Sequence, residues 1–405
     1  MDELRNVEYL PEPHEPRVVS AVDPSIAGYE DEWRSGVTGW LPTIVRPIGR
    51  TYRPFAIFSR AFALALFASI LLLIWRFEWL IIELPPPKSE WAYEDTGIRE
   101  LQKMGLDGSG VNVCMVDTGI DFTHSAFEGL TIVFKDFVGG SSSPIEYGAI
   151  AHGTLMSGIL LSQSHQLGAA PSVNFAMVAA LKEDADGMNT GEETIVADAI
   201  RWCDEVFDAD IISLSLGGMH QNDEEVESRS VSATRQVTDK GIFVVAAAGN
   251  DGGTEDDGDV SSPGNVPRVI TVGAHDRLGN VWTNSSIGNQ SLSDGSNREH
   301  PHLKPEITAP GVQIVSTGEQ NAWYSSSGTS DSTVFVTGVL ALILQDHPQF
   351  KHSSTSTGEC IDAVKMALMR STASDDQQPQ HDSRSGYGAL NAAKWLDEVG
   401  KISSC

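Results

Sequence analysis

The chain has little positive charge. Only 27 Lys and Arg stand against 55 Asp and Glu in 405 residues, a formal net charge of -28. With no basic excess to neutralise phosphates, nucleic acid is excluded as a general partner. The acidity reads either as an ordinary solvated surface or as adaptation to high salt, where self-repulsion is screened. It speaks to habitat, not to activity. Cysteine is also scarce: Cys114, Cys203, Cys360 and Cys405. They form no short-spaced pair, which argues against a zinc site. Cys114 lies in an apolar run and reads as a small buried hydrophobe rather than half of a disulfide. The four thiols do not settle the compartment.

Long apolar runs are rare too. One stands out, AFALALFASILLLIW at 61–75, uncharged and bounded by Arg60 and Arg76. Its fifteen residues fall short of the roughly 20 that cross a bilayer. Residues 55–59 and FEWLII at 77–82 extend it, the arginines can snorkel, and Trp75 and Trp79 suit an interface. The expectation is a membrane anchor over 55–83, with a buried core helix as the alternative. The run starts too far from Met1, and lacks the small-residue site, for a cleavable signal. Arg46, Arg50, Arg53 and Arg60 precede it, so the positive-inside bias places the N-terminus in the cytoplasm and the remainder outside. Residues 1–54, polar and proline-rich, read as a mostly flexible tail, and 84–94 as a proline-rich spacer.

From about residue 95 the texture changes. Strands are expected at 111–117, 172–181, 210–217, 241–250 and 268–274. Helical spacing appears at 193–207 and 230–241. Near-continuous apolar strands separated by helices predict an α/β fold: a three-layer α/β/α sandwich with a mostly parallel central sheet over 95–400. Working residues of such sheets gather beyond the carboxyl ends of the strands. Asp117 ends the first strand in VDTGID. His152 opens AHGTLMSGILL, and Asn250 ends VVAAAGND. Ser330 sits in SSSGTSDS before a long apolar run. Alone, each reads as a cap or turn residue. Together they supply an acid, a base, a nucleophile and an oxyanion donor.

The stretches GSGVNVCMVDTGID, HGTLMSGI, GAAPSVNF, IISLSLGG, VVAAAGNDG, RVITVGA, KPEITAPGV, SSSGTS and YGALNAAKWL, in that order over roughly 95–398, resemble the subtilisin-like serine proteases, or subtilases. The resemblance implies a serine endopeptidase acting on polypeptides. In it Ser330 attacks the scissile carbonyl, His152 carries the proton and Asp117 orients the imidazole. Asn250 donates to the oxyanion, and Ser215, Leu216 and Gly217 pair with an extended substrate. No cofactor is required. The order Asp, His, Ser and the lack of a GxSxG elbow at Ser330 argue against an α/β-hydrolase esterase.

Three departures from the family pattern stand out. Asp331 follows the nucleophile where methionine is usual. It either raises the pKa of His152, displacing activity to higher pH or reducing it, or points idly into solvent. Val334 replaces a proline and Leu155 a histidine; both suit helix packing. The family's best-known calcium site has Ala126 at one ligand position and a short loop, SQSHQ at 162–166, without carboxylates. The acidic run TEDDGD at 254–259 is the remaining place for a calcium ion. An anchor at 55–83 also leaves too little chain before the peptidase domain for the pro-region that family members often carry. The leading expectation is a membrane-tethered endopeptidase with its catalytic domain outside the cytoplasm. Its rivals are a catalytically weak subtilase scaffold that binds peptides and a soluble intracellular subtilase.

Overall fold

The computed structural model describes residues 54–76 and 87–405, except 219–227, 255, 293–295, 373–379 and 404. The tail at 1–53, the spacer residues 84–86 and the end of the expected anchor, 77–83, lie outside the described residues. The chain divides into a unit ending at Leu84 and a second from Pro85 to Cys405.

The first unit contributes one helix, α1 (Pro54–Arg76). Its described side chains from Phe58 to Leu73 are all exposed. That stretch is shorter than a bilayer span. Among the described residues no helix is long and apolar enough to cross a membrane.

The second unit is built on a seven-stranded sheet. Its strands are β1 (Asn112–Asp117), β2 (Val133–Asp136), β3 (Asn174–Ala179), β4 (Ile211–Leu214), β5 (Phe243–Ala247), β6 (Ile270–His275) and β7 (Ile307–Pro310). Their spatial order is β2-β3-β1-β4-β5-β6-β7. Every pairing is parallel, with Asp117 opposite Ala179 and Leu214 opposite Ala246. The helices are α2 (Glu90–Asp95), α3 (Ile98–Lys103), α4 (His152–Leu161), α5 (Glu193–Glu205), α6 (Arg229–Asp239), α7 (Thr329–Asp346), α8 (Gly358–Ser371) and α9 (Ala392–Gly400). A hairpin of β8 (Val312–Thr317) and β9 (Trp323–Ser327) leads into α7.

Successive strand residues point to opposite faces, and here both faces are covered. Val113 and Met115 pack in one apolar cluster with Leu155, Phe335 and Trp395. Cys114 and Val116 pack in the other with Ile200 and Val237. That two-sided burial explains why the strands read as unbroken apolar runs rather than alternating ones. Helix α7 is apolar almost all round because it is buried from Thr329 to Leu344. The chain crosses from one side of β1 to the other between β3 and β4, so the β1/β4 edge is a topological switch point, where α/β sheets bind ligands.

The cysteine expectation is corrected. Cys114 is bonded to Cys203, with Cα atoms 5.8 Å apart, and Cys360 to Cys405, at 5.0 Å. Cys114 does lie in a buried strand, but its side chain points to the face covered by α5, where Cys203 meets it. That meeting depends on which face each residue takes, not on the 89 residues between them.

Candidate active site

Asp117 ends β1 and is fully buried. One of its oxygens, Oδ1, accepts from Thr118 N at 2.7 Å and meets His152 Nδ1 at 2.7 Å. The imidazole reaches it because α4 starts at His152 and runs close under the β1 exit. A Cβ on Gly153 would meet the Gly119 carbonyl oxygen at 2.1 Å, so only glycine permits that approach. The second carboxylate oxygen, Oδ2, is buried and has no partner among the described residues.

Ser330 is the second residue of α7, at the end of the helix where backbone N–H groups lack intrahelical acceptors. Its hydroxyl donates to the Ser215 carbonyl at 3.2 Å, and Ser215 Oγ donates to the Ser330 carbonyl at 3.3 Å. None of its hydrogen bonds among the described residues runs to His152. Asn250 leaves β5 and faces the same helix start. Its Oδ1 accepts from Thr329 N at 3.0 Å and from Thr329 Oγ1 at 2.9 Å. With Oδ1 so engaged, the amide nitrogen turns to the space beside Gly328. A Cβ built on Gly328 would lie 3.5 Å from Asn250 Nδ2 and 3.7 Å from Ser330 N. Two donors thus flank the space beside Gly328.

Residues 215–217 follow β4. The β4–β5 pairing ends at Leu214, and the next bridge is Gly218 with Ser262. Among the described residues, Ser215, Leu216 and Gly217 thus have no strand partner, and Ser215 lies beside Ser330 at the switch point. A Cβ on Gly217 would strike Ser261 at 2.4 Å, which keeps this wall narrow.

Asp331 does not point into solvent; it is 1% exposed. Its Oδ1 accepts from Ser326 Oγ. Its Oδ2 would lie 3.6 Å from the same Cβ on Gly328. Burial pushes the Asp331 carboxyl up to about 7, against the pull of Ser326 and of the His152 charge. Burial alone would lower His152. The carboxylates of Asp117, Asp331 and Glu146 outweigh it and raise the imidazole to about 9. Sequence reasoning passed over Glu146, which bears on His152 from the segment before α4. It also missed Thr329, which aims Asn250. Thr329 sits in the SGTS string and could have been singled out there; Glu146 carries no local signal.

Leu155 and Val334 are buried in their helices, as packing residues. At the place of the family's calcium ligands, Gln163 N donates to Ala126 O at 2.8 Å, and Gln163 Nε2 donates to the Leu161 and Pro171 carbonyls. In the acidic run, Asp256 Oδ2 accepts from Ile287 N, and Asp259 Oδ1 from Val260 N and Asn289 N. These carboxylates accept from backbone N–H groups. Among the described residues no group of three or more His, Cys, Asp or Glu could hold a metal ion.

The sequence profile of the subtilase family matches residues 108–388. The chain belongs to the subtilase family. It is 31% identical to the serine protease AprX of Bacillus subtilis over 327 residues, 74% of this chain and 70% of AprX. It is 30% identical to subtilisin NAT of Bacillus subtilis subsp. natto over 260 residues, 62% of this chain and 60% of the relative. Subtilisin E of Bacillus subtilis is 31% identical over the same length and the same shares. As a subtilase the protein is a serine endopeptidase, and the parallel sheet places the four polar residues of the family pattern at its strand ends and helix starts.

Proposed function

We propose that Asp117, His152 and Ser330 form the catalytic triad, with Asn250 as the oxyanion donor, in an endopeptidase tethered to a membrane. The observation that carries the triad is the 2.7 Å contact of His152 Nδ1 with a buried Asp117. Held there, the ring keeps its proton on Nδ1 and offers Nε2 as base. Ser330 Oγ turns from the Ser215 carbonyl toward that base as it attacks the peptide carbonyl. The new oxyanion takes hydrogen bonds from Asn250 Nδ2 and Ser330 N, helped by the positive end of α7. His152 then passes the proton to the leaving amine. An extended polypeptide lies along Ser215, Leu216 and Gly217 by strand addition.

The reacting base must be neutral, and an imidazole raised to about 9 is mostly cationic at neutral pH. The enzyme therefore works best at alkaline pH. A fluorophosphonate probe tests the triad: the native chain is labelled at alkaline pH and Ser330→Ala is not. Labelling that survives the substitution would overturn the assignment. The buried Asp331 beside the donors favours a second reading, a scaffold with weak turnover that binds peptides. Absence of labelling in the native chain at every pH would favour it.

Two observations support the tether. The uncharged run at 61–75 lies in a helix whose described side chains are all exposed. The two disulfides suit an oxidising compartment, on the far side of a membrane from the cytoplasm. The apolar segment 55–83 then anchors the chain, with its N-terminus in the cytoplasm and the peptidase domain outside. Fractionation without detergent checks this: the chain should pellet with membranes, and recovery in the supernatant would refute the tether.

A further inference from the structure

The segment before α4 is a strap that crosses the exit of β1. Ile120 N donates to Ile145 O at 3.0 Å and Tyr147 N to Thr118 O at 2.9 Å, on either side of a bridge between Gly119 and Glu146. A Cβ on Gly119 would meet the Ile145 carbonyl at 2.0 Å, and its φ is +116°, so glycine is required for the strap to lie this close. From the strap, Glu146 reaches into the first turn of α4. Its Oε2 accepts from Thr154 N at 2.8 Å and Thr154 Oγ1 at 2.6 Å. Its Oε1 accepts from Tyr147 N at 3.1 Å and Gly148 N at 2.9 Å.

That turn needs outside support. The residue before α4 is Ala151, whose side chain cannot cap. Ile150 and Ala151 both sit in the left-handed region, at φ of 51° and 53°. Such a conformation is unfavourable for any residue with a Cβ and most of all for a β-branched one. Packing does not hold Ile150 there, because its side chain is 68% exposed. What grips the turn is polar: Glu146 from the strap, Thr118 Oγ1, which accepts from Gly153 N at 2.8 Å, and Asn189 Oδ1, which accepts from Ala149 N at 2.7 Å. The residue that follows the strained pair is His152.

We propose that Glu146 is a positioning residue for His152: its carboxylate clamps the first turn of α4 so that the imidazole stays on Asp117. The inference rests on the reading of His152 as the general base. Glu146 touches no reacting atom and acts through Thr154 and the 147–148 turn. The charged groups that bear on His152 are Asp117, Asp331 and Glu146. Burial raises the Glu146 carboxyl above its ordinary range, against the downward pull of the Thr118 and Thr154 hydroxyls. Once ionised, at a pH above that raised value, it also helps to hold the imidazole protonated.

The test compares Glu146→Ala and Glu146→Gln in the full chain, by peptide hydrolysis across pH and by fluorophosphonate titration of active sites. Ala should lower kcat per titrated site by about 10- to 100-fold, as small misplacements of a catalytic group do, with KM unchanged. Gln should fall between Ala and the parent, because an amide accepts on one side only. Its acid limb should move to lower pH, since an anion facing His152 is gone. Variants with the parent's kcat and acid limb would overturn the proposal. So would a loss of activity that vanishes when corrected for the folded fraction. Should Ala fail to fold, Gln decides alone. Failure of the triad itself reads differently: the parent then escapes labelling, or Ser330→Ala retains it.

Discussion

Two clusters of buried charge lie in the peptidase domain, and they differ in how completely they are satisfied. In the first, Lys304, Glu306 and Lys365 are each no more than 1% exposed. Lys304 Nζ donates to Val269 O, Thr271 Oγ1 and Glu306 Oε1; Lys365 Nζ donates to Pro267 O, Val269 O and Glu306 Oε1. Each ammonium has used its three donors, and Thr271 N closes the other Glu306 oxygen at 2.8 Å. At its margin His302 has a buried nitrogen, Nδ1, without a partner among the described residues. In the second cluster, Asp117 Oδ2 has no partner among the described residues, Asn250 turns its amide nitrogen to the space beside Gly328, and Ser330 Oγ rests on the Ser215 carbonyl. Buried polar groups are paired as a rule. The satisfied cluster suits a role in holding the fold, while the unsatisfied one is where the proposed triad needs free groups.

Substitutions should separate the two. The largest effect falls on the open cluster: Ser330→Ala lowers kcat on the order of 10⁶-fold with stability unchanged, the magnitude known for the nucleophile of subtilisin itself. The closed cluster answers in stability. Glu306→Gln leaves two lysines buried without their anion and costs about 3–5 kcal/mol of unfolding free energy, read by denaturant titration, with kcat per folded molecule unchanged. A change in kcat without a change in stability would erase the distinction between the two clusters. Asn250→Ala lowers kcat about 100- to 1000-fold and leaves KM nearly unchanged, again the scale of subtilisin. The smallest effect is on pH. Asp331→Met removes one of the anions that hold the imidazole charged, so the acid limb of the rate profile moves to lower pH and activity at neutral pH rises. An unmoved limb would mean that Asp331 does not bear on the base.

Much of the fold and of the site is legible in the residues alone. β1, β3, β4 and β5 fall inside four of the five runs read as strands and β6 overruns the fifth by one residue, His275, because two-sided burial makes such strands apolar throughout. The long run after Ser330 is apolar on every side because α7 is buried on every side. Asp117, His152, Asn250 and Ser330 stand at strand ends and helix starts, where short strings of glycine and small residues surround them. Glu146 is not legible, since its partner Thr154 lies on another element and the strap IEYG looks like any loop. The disulfide of Cys114 is hidden by its setting, as a buried strand hides a bonded cysteine as well as a free one. The depth of Asp331 stays open until α7 is seen to turn it inward.

The linear order of residues determined by itself the alternation of apolar strands and helices, and with it a parallel sheet with reactive groups at its rim. Periodicity and local turn chemistry are short-range, so they survive in the string. Only the tertiary structure decided which carboxylates surround the imidazole, which thiols meet and which buried polar atoms stay unpaired. Those depend on contacts between residues far apart in the chain, where a carboxylate's strength comes from the exclusion of water and from the charges the fold brings beside it.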